Sequence, residues 1–206
     1  MNYKNNVDSA SVVRVACVGD SITEGSGYPA ELQAKLGTRY EVGNFGVSGS
    51  AVTLDSGKPY MNQTAFQLSK AFQPDIVIIM LGTNDAREDN YVHIENFTDN
   101  YRRLVVEFQA LRSEPQVWLV QPPPIYENDL NLLDSNLVQG VIPRIEQVAG
   151  ELNLPTIDMH EVLASYPEYF GDGVHPSSEG ALLIAGEINE AITSAEGSGY
   201  SDAGNP

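Results

Sequence analysis

Short apolar runs alternate along this chain with segments whose apolar residues recur every three or four positions. Val12 to Val18 is rich in β-branched residues, interrupted only by Arg14, and ends at Gly19-Asp20, so it reads as a first strand. Pro29-Ala-Glu-Leu-Gln-Ala-Lys-Leu then opens a helix, with proline in its first turn and Gly37 just past its end. Tyr40 to Phe45 fits a second strand and residues 63–72 a helix. Asp75-Ile-Val-Ile-Ile-Met-Leu81 holds the uninterrupted apolar stretch of a central parallel strand covered on both faces. The pattern goes on with a helix from Ile94 to Leu111, a strand from Gln116 to Val120 and the proline-rich Gln121-Pro-Pro-Pro. A helical region over 135–152, kinked or restarted at Pro143, a short strand from Pro155 to Asp158 and a helix from Ser178 to Thr193 complete it.

Strand-helix alternation of this kind predicts an α/β protein: a three-layer α/β/α sandwich around a doubly wound parallel sheet of five strands in flavodoxin-like order. Ligands of such sheets bind beyond the carboxyl ends of the strands, near the point where strand order reverses. The 206 residues allow one sizeable core and are too few for two comfortable domains. The expected division is an N-terminal extension over 1–11, one catalytic-sized domain over 12–194 and a flexible Gly- and Ser-rich tail or linker over 195–206.

Composition narrows the partners. Hydrophobic residues at 42% and charged residues at 19% suit a folded soluble protein, and no apolar run approaches the roughly 20 residues of a membrane span. A net charge of −17 should repel nucleic acid and anionic membranes while tolerating neutral or cationic ligands. The single cysteine, Cys17, sits inside the first apolar run, where a buried structural thiol is expected, and no disulfide framework is available within the chain. MNYKNNVDSASVV lacks the apolar segment of a signal peptide, yet a piece cut from a longer secreted chain would lack one too, so the compartment stays open. Oligomeric state is equally open.

Four short segments carry candidate chemistry: GDSITEG (19–25), NFGVSG (44–49), GTND (82–85) and DGVH (172–175). Three follow predicted strands and the fourth precedes the last helix. Together they resemble the blocks of the SGNH hydrolases, also called GDSL esterases, with Ser21, Gly49, Asn84 and His175 as the four eponymous residues. The resemblance spans residues 12 to about 193. Ile22 stands where that family usually has leucine, an apolar exchange of no chemical weight.

Ser21 is the candidate nucleophile, in a tight turn able to present its hydroxyl at the sheet's rim. The bland alternative is that it merely caps the next helix. A serine needs a base, and the chain offers only His93, His160 and His175. His93 and His160 fit surface or packing roles. His175 has Asp172 three residues earlier, a spacing that lets the carboxylate reach Nδ1 of the imidazole and fix its tautomer. Ser21, Asp172 and His175 therefore form the expected catalytic triad. The resemblance implies an oxyanion hole made of the Ser21 N–H, the Gly49 N–H and the Asn84 side-chain amide. Gly46 competes with Gly49, but Asn44 to Gly49 has the family's Asn-x-x-x-x-Gly spacing. Asp20, Asn44, Thr83 and Asp85 read as supporting or turn-forming residues. Ser48 is a poor nucleophile candidate, since Gly46-Val-Ser-Gly49 lacks the Gly-x-Ser-x-Gly spacing.

No phosphate-binding, dinucleotide-binding, EF-hand or cysteine-based metal motif occurs, so neither cofactor nor metal is expected. The loops 58–64, 87–91 and 122–126 should ring the serine, with Tyr60 and Tyr126 as candidate substrate-binding platforms suited to a sugar. The resemblance points to bacterial enzymes that deacetylate carbohydrates, sialate O-acetylesterase-like proteins among them, acting on a small or carbohydrate ester through an acyl-serine intermediate. The alternatives are a general short-chain esterase, arylesterase or lysophospholipase-like enzyme, and a non-catalytic carbohydrate-binding relative.

Overall fold

The computed structural model describes residues 11–199. Its centre is a five-stranded sheet, entirely parallel, in the order β2-β1-β3-β4-β5, formed by β1 (Val13–Gly19), β2 (Tyr40–Gly46), β3 (Ile76–Met80), β4 (Gln116–Gln121) and β5 (Thr156–Asp158). This is the flavodoxin-like order expected. Between β1 and β3 the winding reverses, and the loops that follow β1, β2 and β3 converge beyond the sheet's carboxyl edge.

The period-2 alternation of each strand sorts its side chains between two cores. Ala16 and Val18 of β1 and Val77 and Ile79 of β3 enter one core. There they meet α3 (Thr64–Ala71), α5 (Phe97–Gln109) and α7 (Ile142–Leu152) through Phe66, Phe108 and Ile145. Val15 and Cys17 of β1 and Ile76, Ile78 and Met80 of β3 enter the opposite core. This second core is closed by α2 (Tyr28–Leu36), α8 (Met159–Leu163) and α9 (Ser178–Gly199) through Leu32, Leu163 and Ile188. Burial pushes the Cys17 thiol up to about 12, so it stays a protonated packing group. Three short helices, α1 (Ser21–Gly25), α4 (Glu88–Tyr91) and α6 (Asp134–Asn136), lie in the connections near the carboxyl edge.

Helix α5 shows how the layers form. Phe97, Tyr101, Leu104, Val105 and Phe108 recur at helical spacing and are all buried. On its opposite face Arg102 joins Asp99 on its own helix and Glu151 on α7. The expected helix from Ile94 is split, with a single 3₁₀ turn over Ile94–Asn96 before α5 begins. No break occurs at Pro143: α6 runs through a π-helical turn over Leu137–Val141 directly into α7, and Pro143 follows that turn.

One boundary differs from expectation. Helix α9 continues to Gly199, five residues into the stretch expected to be a flexible tail. Extending an existing helix needs no new nucleus, and isolated Gly and Ser residues cost only about 1 kcal/mol or less each. Most of the expected N-terminal extension, residues 1–10, and the last part of the expected tail, 200–206, lie outside the described residues. Among the described residues no helix is long and apolar enough to cross a membrane.

Candidate active site

Strand β1 ends at Gly19, and Asp20 caps α1, its Oδ1 accepting the Ile22 N–H at 3.0 Å. The cap is thus Asp20 and not Ser21. As the first residue of α1, Ser21 has a backbone N–H with no intrahelical carbonyl to bind. Its Oγ lies 2.8 Å from His175 Nε2. His175 Nδ1 lies 2.6 Å from Asp172 Oδ2, and Asp172 Oδ1 accepts the backbone N–H groups of Val174 at 2.9 Å and His175 at 2.8 Å. An ionised Asp172 requires the proton on Nδ1, which leaves Nε2 to accept from the serine hydroxyl.

Partial burial raises the Asp172 pKa. The hydrogen bonds from the His175 backbone, the His175 ring and the Val174 backbone outweigh that and hold it at about 2. The turn that brings acid and base together depends on Gly173, whose φ is 81°. A Cβ there would meet the Glu127 carbonyl oxygen at 2.1 Å, and the Tyr126 N–H donates to the Gly173 carbonyl at 2.7 Å. The DGVH loop is therefore held from below by the chain leaving β4.

The loop after β2 supplies Gly49, with φ 75° and open space where a side chain would be. Gly46 has a different duty: a Cβ there would lie 2.2 Å from the Glu24 amide nitrogen, so it lets β2 pass close to α1. Asn44 holds the same crossing, donating to the Thr23 carbonyl at 2.9 Å and accepting the Gly46 N–H at 2.9 Å. Asn84, at the end of β3, donates from Nδ2 to the Ser50 carbonyl at 3.0 Å. The neighbouring carboxylate of Asp85 accepts the Val52 N–H at 2.8 Å and the Thr53 N–H at 2.9 Å. Asn84 and Asp85 together tie the loop bearing Gly49 to the end of β3.

Two carboxyls beneath the site are unusual. Burial pushes Asp20 up to about 6 against the hydrogen bond from the Ile22 N–H. It does the same to Asp85, against its two backbone donors.

Ser21, Ser48, Gly49, Thr83, Asn84 and His175 line one cavity of about 240 Å³, whose remaining walls are Arg87, Leu130, Leu132 and Val174. The four segments singled out in the sequence thus contribute to a single hollow. The two tyrosines do not. Tyr60 is 0% exposed, its ring against Phe66 and its hydroxyl donating to the Phe45 carbonyl at 2.7 Å. Tyr126 packs on Phe170 and donates to the carbonyls of Leu163 and Ala164 at 3.2 and 3.3 Å. Both are structural props, their rings packed on other aromatic residues and their hydroxyls donating to backbone carbonyls. Of the three loops expected to ring the serine, only 87–91 enters the cavity, through Arg87. His160 binds Asp134, which also accepts the Ile125 N–H, and so anchors the loop after β4. Leu130 and Leu132 went unread in the sequence; isolated leucines within the polar run Asn128-Asp-Leu-Asn-Leu132 were the available signal.

The family model for GDSL-like lipases and acylhydrolases matches residues 17–183. The chain belongs to the GDSL-like lipase/acylhydrolase family. An acetylxylan esterase of Xylanibacter ruminicola is 33% identical over 87% of this family member and 43% of its own length. The chain spans between 43% and 59% of the length of the curated relatives it matches. A carbohydrate acetylesterase from Sinorhizobium meliloti superposes with a TM-score of 0.73 at 19% identity, covering 89% of this chain and 99% of that one. The inhibitor-bound aryl esterase of M. smegmatis gives a TM-score of 0.74 at 19% identity, covering 88% and 99%. Both share the fold.

Proposed function

We propose that this chain is a serine esterase that removes acetyl groups from a carbohydrate. The observation that carries the reading is the continuous relay from Ser21 Oγ through the His175 ring to Asp172, opening into a cavity that also holds Gly49 and Asn84. In the reaction, Ser21 Oγ attacks the acetyl carbonyl carbon and its proton passes to His175 Nε2. The carbonyl π pair moves onto oxygen, where the N–H groups of Ser21 and Gly49 and the Asn84 amide act as donors. Collapse of the tetrahedral intermediate breaks the bond to the sugar oxygen, which takes the proton from His175. Water, deprotonated by the same imidazole, then attacks the acetyl-serine, and acetate leaves as Ser21 regains its proton. Asp172 stays ionised throughout and holds the ring.

A small acyl group is favoured by the cavity's size, about 240 Å³. A long-chain lipid ester would need a wider lining. The acetylxylan esterase relative supports a sugar as the alcohol. The test is acetate release from acetylated xylo-oligosaccharides, with p-nitrophenyl acetate as a second substrate, by the protein and by its Ser21→Ala and His175→Ala variants, each checked for an unchanged unfolding transition. Activity lost in both folded variants is expected. Aryl-ester cleavage without sugar deacetylation would reassign the leaving group to that of an arylesterase, and activity that survives Ser21→Ala would remove the triad.

A further inference from the structure

Leu130 is a large apolar side chain held out into water, 46% exposed, at the tip of a heavily bonded loop. The Asn128 side chain accepts the Leu130 N–H at 2.9 Å and donates to the carbonyls of Tyr126 and Leu132 at 2.8 and 2.9 Å. Asn131 adopts φ 57° at the turn, and its carbonyl accepts the Glu88 N–H at 3.2 Å. These bonds fix the loop tip that presents Leu130.

Its position is equally specific. Leu130 borders the serine cavity and also two adjoining hollows of about 420 and 500 Å³, one reaching Glu127 and Asp172, the other Glu88 and Asp89. The serine cavity has room for an acetyl group and the sugar unit bearing it. Further units that run into either adjoining hollow meet Leu130, the residue that all three share.

Resting on the esterase reading, we infer that Leu130 is a specificity-determining ridge on which the apolar face of an uncharged oligosaccharide lies. The chemistry on either side fits hydroxyl donors: the carboxylates of Glu127, Asp129, Glu88 and Asp89 and the amide of Asn131 offer acceptor oxygens. Charge in the surroundings argues for a neutral sugar. Arg87 is occupied by Asp89, at 2.6 Å from Nε and 3.1 Å from Nη2. Lys58 donates to the Ser48 carbonyl at 2.8 Å, and Glu24 stands beside it, accepting the Ser48 N–H. An acidic sugar would meet the three exposed carboxylates of Glu127, Asp129 and Glu88 with no unengaged cation among the lining residues, each disfavouring it by about threefold at ~7 Å in water of low salt.

Covering the exposed part of a leucine corresponds to roughly a ten- to thirtyfold gain in affinity. The experiment compares kcat and KM for acetylated xylose, acetylated xylotriose and O-acetylated sialic acid in the wild type and in Leu130→Asp, Leu130→Ala and Leu130→Met. Every rate is divided by the same variant's rate on p-nitrophenyl acetate, so a general loss of catalysis or folding cancels. The trisaccharide should have a KM about tenfold below that of the monosaccharide in the wild type, with similar kcat. Leu130→Asp and Leu130→Ala should lose that gain and Leu130→Met should keep it, while sialate ester turnover should rise with added salt. Equal KM values for the two xylose substrates in the wild type, or a gain that survives Leu130→Asp, would overturn the ridge. A sialate ester preferred at low salt would overturn the neutral-sugar assignment. A protein inert toward every ester, p-nitrophenyl acetate included, would instead sink the esterase reading on which the ridge depends.

Discussion

Replacing Asp85 by asparagine should make the protein's relative stability depend on pH in a direction opposite to that of most carboxylates. Asp85 is fully buried, and burial lifts its pKa from 3.8 to about 6 even though two backbone N–H groups stabilise its anion. An acid whose folded-state pKa lies above its unfolded value binds a proton more tightly when folded. Its contribution is fully present below the unfolded pKa and is lost as pH rises through the folded one. The amide that Asp85→Asn introduces does not titrate, so the difference in unfolding free energy reports Asp85 together with any group whose titration its charge perturbs. With pKa values of 3.8 and about 6, the advantage of Asp over Asn should shrink by about 2 kcal/mol between about pH 4.5 and pH 7.5. Relief of Asp20, whose own pKa the Asp85 charge helps to raise, adds in the same direction.

Hydrogen bonding sets where that change starts. At about pH 4.5 the buried Asp85 is itself a protonated acid with one carbonyl oxygen to offer the Val52 and Thr53 N–H groups, as the amide would have, so the variant should there be about as stable as the parent. At about pH 7.5 it should be the more stable by about 2 kcal/mol. Activity should not gain in this way. Losing one tie to the loop that carries Gly49 shifts a proposed oxyanion donor, and since complete loss of a donor costs about 10²–10³ in rate, a partial shift should lower kcat about tenfold. Urea unfolding at the two pH values and kcat on p-nitrophenyl acetate at neutral pH provide the check. A variant that loses stability relative to the parent as pH rises would refute the buried-carboxylate argument, and an unchanged kcat would refute the clamp.

Two further outcomes bear on the site. Asp172→Asn should lower kcat by about 10³–10⁴ with little change in KM, because the ring loses the acceptor that fixes its tautomer; since Asp172 is held at about 2, its protonation should leave no mark on the rate-pH profile until strongly acid conditions. Tyr60→Phe and Tyr126→Phe should each cost about 0.5–1.5 kcal/mol in thermal or urea unfolding while leaving KM for sugar esters within twofold, because both hydroxyls serve backbone carbonyls. A large KM effect at either tyrosine would restore it to the substrate site.

The residues that the sequence made legible share a physical property: their partners are fixed by short-range geometry. Asp172 and His175 lie in one turn, Ser21 follows its strand directly, and Gly49 and Asn84 end segments that must leave the same edge of a parallel sheet. The fold was legible for a similar reason, since a strand covered on both faces, such as Ile76–Met80, can occupy few places in a sandwich. What could not be read was which loop residues face the serine. Tyr60 sits in a loop of the right kind, yet it turns inward because a large ring gains more by filling the core beside Phe66 and meeting the Phe45 carbonyl than by standing in water. Leu130 turns outward because Asn128, two residues away, spends its amide on the backbone around it and leaves the side chain no core to enter. Neither outcome follows from hydropathy, which would send the leucine in and leave the tyrosine at the rim. In loops, hydrogen bonding to backbone groups decides the direction of a side chain before its own polarity does. A search for substrate contacts in related chains should therefore begin with apolar residues beside Asn or Asp in the loops beyond strand ends, and only then turn to aromatic ones.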